Sequence, residues 1–382
     1  LALDIKVNIS QAAVAGSAGF GIPLILVSKA SAAVPYTECE KLSEVETALG
    51  GKTSNAYKAA ALIWKQDNAP EKIAVYASTN DAVVAIGEVA NKGWRQLLVF
   101  FGENDTKTAA DVAEAVEGST DKMYFTTVGA TANIAAIKAK GEENTVVMYY
   151  PISDYVYTAV ASPTGNPSTS SYYEKDGDTY TASEDTSVNE SKTYYTRTAI
   201  TVLNYAVAAI VGASAGREAG SFTYKNLIIS GLEPQTLSDT DLTALHTAGG
   251  FTIVKKAGDI VTSEGKAVGG EFIDVIDSKH WIIQNIEYDT QKKLNIEAKV
   301  PYTDVGISSL ATITANVLKK AFDNGMIATD EDGVTPMYGV NFKPRSAMTA
   351  LQRKNRVYTG GNFTFTLAGA VHTATINGEL VI

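Results

Sequence analysis

Gly51-Lys52-Thr53 has the residue types with which a phosphate-binding loop closes: a glycine for close backbone approach, a lysine charge and a hydroxyl for a metal ion. That loop also needs a glycine five positions before Gly51, where this chain has Glu46, a carboxylate that repels phosphate. The stretch reads better as the stop of a helix. A second glycine cluster, Gly16-Ser-Ala-Gly19-Phe-Gly21, does not space as G-x-G-x-x-G and precedes an apolar run instead of following one. It reads as a hinge. His246, His280 and His372 lie too far apart for a metal motif, and Cys39 has no companion, so neither a zinc site nor an intrachain disulfide is expected. There is no G-x-S-x-G, and the carboxylates are dispersed without a pair that stands out. The expectation is a protein with no catalytic residue, no metal site and no cofactor.

Two other patterns stand out. The first residues alternate, with Leu3, Ile5, Val7 and Ile9 separated by Asp4, Lys6 and Asn8, which is a strand with one apolar face. At the other end Phe363, Phe365 and Leu367 alternate with threonines, Gly369 interrupts, and Val371 to Ile382, including Ile376, forms a last extended segment. A strand tethered through glycine has an unpaired row of N–H and C=O groups, which is an aggregation hazard unless it finds a sheet. It can add to the sheet of another subunit or pair within its own chain; the sequence leaves both open. The second pattern is charge. Between Asp332 and Glu379 there is no acidic residue, while Lys343, Arg345, Arg353, Lys354 and Arg356 are all basic. The run is either a solvated face or a docking face for an acidic partner.

These features sit in a chain of 382 residues with 45% hydrophobic and 19% charged residues, long enough for two or three compact units and globular in composition. A net charge of −10 argues against duplex DNA or an anionic membrane as the main partner. No basic and apolar leader is visible in Leu1 to Ser10, and the longest apolar run, Ala199 to Ala215, is short for a membrane span, so no membrane insertion is expected.

The elements that must hold these residues follow a βα rhythm. Ile22–Val27, Lys72–Ala77, Leu97–Phe101, Met123–Val128 and Val146–Tyr150 read as strands. Helices are expected from Ser43 (as a capping box with Glu46) and over Asn55–Gln66, Ala82–Lys92, Thr108–Val116 and Ala132–Lys140. Between Ile152 and Arg197 the rhythm breaks into a segment rich in Ser, Thr, Tyr, Gly and Asp, bracketed by Tyr172-Tyr173 and Tyr194-Tyr195. It reads as a small β insertion with a hairpin at Asp176-Gly177-Asp178, or else as a disordered loop. Beyond it we expect a helix over 199–215 and strands at Leu227–Ser230, Phe251–Lys255 and Glu271–Ile276. A helix capped by Ser238 with Asp241 should end at Gly249-Gly250, another begins near Asp277, and a last one covers Ile307–Phe322.

From Leu227 onward the order of features resembles the contractile tail sheath proteins of phages and of phage-tail-like bacteriocins. Gly231-Leu-Glu-Pro234, the capped Leu-Ser-Asp-Thr-Asp-Leu and the Ala-Gly-Gly-Phe-Thr-Ile-Val turn are similar to the sheath run "G-L-x-P … L-S … L-x-x-x-G-I-x-x-I". The two following helices, the closing β segment and the N-terminal strand before a glycine-rich joint keep the sheath order; residues 25–150 match only as an α/β layer. The tyrosine-flanked insertion is similar to segments of tail proteins from phages of Gram-positive hosts. The resemblance implies an α/β to α+β fold in five parts. These are an N-terminal β arm and hinge (1–21), an outer α/β domain (22–151 with 198–225), a surface β insertion (152–197), an inner sheath domain (226–362) and a C-terminal β arm (363–382).

It also implies a function: rings of copies stacked helically around a tail tube, with baseplate and tail terminator proteins as further partners. The lattice would contract to drive the tube through a bacterial envelope, without nucleotide hydrolysis and without direct contact with nucleic acid. The particle would be assembled in the host cytoplasm and end as a virion tail or a phage-tail-like particle. In that scheme Leu3, Ile5, Val7 and Ile9 form a donated strand and Gly16, Gly19 and Gly21 a hinge. Phe363, Phe365, Val371 and Ile376 pair between subunits, and Lys343, Arg345, Arg353, Lys354 and Arg356 face an acidic tube through a screened contact that can let go. The rival readings are another self-assembling surface protein, or a soluble α/β enzyme with a polar cleft in the layer 25–150.

Overall fold

The structure is a computed structural model, and it describes residues 21–151, 153–169, 172–176, 179–202 and 204–373. The expected N-terminal strand, Gly16, Gly19 and Ile376 lie outside the described residues.

The body is built on a six-stranded sheet. Its elements run β1 (Ile22–Ser28), β2 (Val34–Cys39), α1 (Leu42–Leu49), α2 (Asn55–Trp64), β3 (Ile73–Ala77), α3 (Ala82–Glu88), β4 (Trp94–Phe101), α4 (Ala109–Val116), β5 (Met123–Val128), α5 (Ala132–Lys138) and β6 (Thr145–Tyr149). The strand order is β2-β3-β1-β4-β5-β6, parallel except for β2, which runs antiparallel along the β3 edge. Such a sheet must be covered on both faces, and β1 shows how: Leu24 and Leu26 point into one core, Ile25 into the other. Side chains close the helix starts. Ser54 accepts from Tyr57 N, Asp81 from Val84 N, and Thr108 with Asp111 forms a capping box. At the start of α1 the expected Ser43 cap is absent. The helix begins at Leu42, and the Glu44 carboxylate accepts from Glu40 N at 2.8 Å instead.

The segment after β6 is a separate sheet of β7 (Ser153–Ala159), β8 (Tyr172–Asp176), β9 (Thr179–Ala182) and β10 (Tyr194–Val202), in the order β7-β10-β8-β9. The two tyrosine pairs meet across it, Tyr195 opposite Tyr173, and β8 and β9 form the expected hairpin. Tyr157 and Tyr180 stack with ring centroids 3.9 Å apart, so aromatic contact helps fill this small sheet. The apolar run 199–215 is not one helix: its first residues complete β10, and α6 (Ala208–Ala215) starts only afterwards, buried against α2.

The chain then passes through α7 (Asp239–Ala248), which Ser238 caps as expected, and a ribbon of β11 (Ile253–Lys256) and β12 (Asp259–Thr262). This stretch seals the open edge of β6: Tyr149 N donates to Phe251 O, Phe251 N to Val147 O and Val268 N to Thr145 O. The strand expected at Leu227–Ser230 is reduced to a bridge between Ile228 and Val261. The strand expected at 271–276 is instead the start of α8 (Ile273–Ile296). Ile273 and Ile276 belong to the core of the body, while Ile282 and Ile286 belong to a further core with Val317, Leu318 and Met326. One helix therefore runs through two cores. α9 (Asp304–Asp323) packs beside it, followed by β13 (Tyr338–Phe342), a 3-10 turn (Arg345–Ala347), α10 (Ala350–Lys354) and β14 (Gly361–Phe365), with β13 and β14 antiparallel. The mixed α/β class expected from the sequence is what the structure has.

Candidate functional site

The place where an enzyme of this topology would hold a ligand is the crevice at the carboxyl ends of β1 and β4, where the strand order reverses. Here it is closed by the chain itself. Gly102 N donates to Ser28 O at 3.0 Å, and a Cβ at Gly102 would sit 2.6 Å from Ser28 O and Lys29 O. The Asp105 carboxylate accepts from Ser28 Oγ, from Ala82 N at 3.0 Å and from Lys107 N at 2.9 Å. A side chain of the protein thus occupies the start of α3, where an anionic ligand would bind. Among the described residues no group of three or more His, Cys, Asp or Glu is placed to hold a metal ion, and no helix is long and apolar enough to cross a membrane.

The polar groups that are buried together form a joint. Arg95 of β4 donates to the Asp277 carboxylate of α8, lies 3.2 Å from His280 Nδ1 and donates to Asp121 O at 3.1 Å. Tyr224 donates to the other Asp277 oxygen at 2.7 Å. All four side chains are buried, and burial together with the Arg95 charge holds the His280 imidazole well below its ordinary range. Sequence reading missed this joint, because its members are separated by up to 185 positions and none sits in a motif. Gly21 lies against it: at φ 94° its Cβ would be 2.9 Å from Arg95 Cβ. Gly21, expected as part of a hinge, is packed here in a conformation and at a distance that favour glycine.

At the other end, Phe363 and Phe365 were expected to pair between subunits. They lie in β14 and pair with Val340 and Tyr338 of β13 in the same chain, packed on the further core. β13 precedes β14 by one short lobe, and their pairing takes up one edge of β14 in a two-stranded sheet. Val371 lies beyond this sheet and is exposed.

The lobe between β13 and β14 carries the five basic residues. Thr349 and Gln352 form a capping box on α10, Gln352 also donates to Thr359 at 2.9 Å, and Tyr358 donates to Lys343 O at 2.8 Å. The Asp304 carboxylate accepts from Arg345 N at 2.6 Å, tying the lobe to the start of α9. Arg353 is used inside the lobe, where its guanidinium donates to Arg345 O and Met348 O. Lys343, Arg345, Lys354 and Arg356 are exposed, and no salt bridge among the described residues takes them up. Leu351 (65% exposed), Val357 (49%) and Val305 (80%) stand in and beside the same lobe. The surface is basic with apolar side chains between the charges, which sequence reading recognised only as a charge run.

No protein-family model matches the sequence, and no curated protein matches it. The fold does match solved structures. It is similar to the helical sheath of the anti-feeding prophage in its contracted state, with a TM-score of 0.65 and 12% identity, covering 98% of this chain and 97% of that one. It is similar to the sheath of an extracellular contractile injection system, the PVC complex in its contracted state, with a TM-score of 0.63, 10% identity and 98% and 96% of the two chains covered. A sheath tail protein from Listeria innocua matches with a TM-score of 0.52 and 8% identity, over 92% of this chain and 96% of that one. These neighbours are sheath proteins, and this chain has their fold almost from end to end.

Proposed function

We propose that this chain is the sheath subunit of a contractile tail, polymerising as helical rings around a tail tube and shortening to drive that tube through a bacterial envelope. The carrying observation is a fold shared with contracted sheaths over 98% of the chain. The closed strand-end crevice supports a mechanical role over the enzyme reading. In this proposal baseplate and terminator proteins bound the polymer, and the particle, phage tail or bacteriocin, is assembled in the host cytoplasm.

The terminal segments link the copies. Leu3, Ile5, Val7 and Ile9 give the N-terminal segment one apolar face for strand addition, with Gly16, Gly19 and Gly21 as the hinge that leads to it. At the other end Phe363 and Phe365 of β14, which β13 pairs along one edge, and Val371 and Ile376 beyond it meet the neighbouring copy. Lys343, Arg345, Lys354 and Arg356 face the acidic surface of the tube, with Arg353 shaping the lobe that presents them. Purified protein should form tubes or rings under the electron microscope. Deleting Leu1–Ser10 should leave a folded subunit by circular dichroism that no longer polymerises. A wild-type protein that stays monomeric at high concentration would sink the sheath reading, and an unfolded deletion product would place the strand in its own chain's core.

A further inference from the structure

Beyond β14 the chain leaves its own sheet. Leu367 is bridged to Ile327, and Ala368 N donates to Met326 O at 2.9 Å. Gly369 turns in the left-handed region at φ 64°, and Val371 stands 87% exposed. His372 then returns to the α/β body. Its Nε2 lies 2.8 Å from Thr223 Oγ1 and its Nδ1 3.9 Å from Glu264 Oε1. Its ring meets Phe272 edge to face with centroids 4.8 Å apart. Under residues 367–370 is a cavity of about 280 Å³, lined also by Gly220, Thr223, Ser278 and Met326. Asp274 lines it too, and its Oδ1 is buried with no hydrogen-bond partner among the described residues.

A segment packed along its length would fill that space and cover Val371. Residues 367–372 are tied at their two ends, and among the described residues His372 makes their contact with the α/β body. The hydrogen bond to Thr223 and the aromatic edge contact, with the Glu264 carboxylate nearby, are enough to favour the docked position and weak enough to open. We infer that His372 is a positioning residue, a latch that makes the C-terminal segment leave the subunit from the Thr223–Phe272 corner of the α/β body and not from the edge of β14. This rests on the proposal that the C-terminal segment engages a neighbouring copy. A segment anchored to the body keeps the body's orientation, with Gly369, at φ 64°, as the joint between it and β14.

Limited proteolysis of the full chain tests it, because cleavage of a locally tied segment follows the population of its open form. His372→Ala should speed cleavage by a broad-specificity protease within residues 369–373 about tenfold, with cleavage in β1–β6 unchanged, and Thr223→Val should do the same. His372→Gln, which keeps a hydrogen-bonding group near Thr223, should restore most of the protection. In assembly, His372→Ala should polymerise severalfold more slowly than wild type. Cleavage within 369–373 at the wild-type rate, cleavage that rises equally across β1–β6, or polymerisation at the wild-type rate would each overturn the latch. A chain lacking 374–382 separates the two ideas: if it still polymerises, the arm reading fails, while the proteolysis result continues to judge the latch.

Discussion

Arg95, Asp277, His280 and Tyr224 join the sheet to α8 through buried charge, and a buried charge is sensitive to whatever removes its partner. His280 is the member whose ordinary pKa lies near neutral pH. Burial first, then the charges of Arg95 and Lys279, hold its folded pKa well below the ordinary 6.5. The unfolded chain keeps the ordinary value, so below pH 6.5 it binds a proton that the folded chain refuses. Stability is then full above that pH and falls as pH drops toward the depressed folded pKa. His246, also lowered by burial, adds in the same direction. The urea midpoint should therefore decline between about pH 7.5 and about pH 5.5, and His280→Gln should flatten part of that decline. A wild-type midpoint constant across the window would mean that the ring is not buried against Arg95.

At the scale of elements, the packing of α6 on α2 offers a paired test. A Cβ at Gly212 would lie 2.4 Å from Ile63 O, so the two helices meet backbone to backbone. Gly212→Ala should cost about 1–2 kcal/mol, because the clash outweighs the gain in helix propensity. Gly87, in α3, has nothing within 4 Å of its Cβ position, and Gly87→Ala should stabilise by up to about 1 kcal/mol. Thermal melts that moved the same way for both would refute the contact. What could be read from the sequence follows the same logic. Long buried strands and capped helices such as Met123–Val128 and the Ser238-capped α7 were legible because period and cap agree. The run Glu271–Ile276 was misread because two apolar pairs, Phe272-Ile273 and Val275-Ile276, fit a short buried strand as well as the first turn of α8, and the choice was made by Ile273 and Ile276 reaching the body's core. The run 199–215 was misread because uniform apolarity carries no period, so pairing of its first residues with β7 decided their state. Of the candidate site residues, the basic run was visible as composition, whereas the Arg95 joint and the His372 contacts depend on distances that no spacing encodes.

For the whole molecule, the contrast that matters is between a chain of net charge −10 and a lobe that shows uncompensated cations around exposed Leu351 and Val357. A partner that fits must be acidic at its rim and apolar at its centre, and the two contributions respond differently to salt. Charges on an exposed lobe are screened over about 3 Å at 1 M salt, whereas burial of a leucine is not. Arg345→Glu with Lys354→Glu should weaken co-sedimentation with isolated tail tubes about tenfold at low salt, and the deficit should close as salt approaches about 1 M. Leu351→Ser should weaken it about five- to tenfold at every salt concentration. If the leucine change had no effect, the contact would be a purely electrostatic one, as charge placement alone suggests. If neither variant altered tube binding, the lobe would face something other than the tube, and the sheath reading would stand or fall on polymerisation.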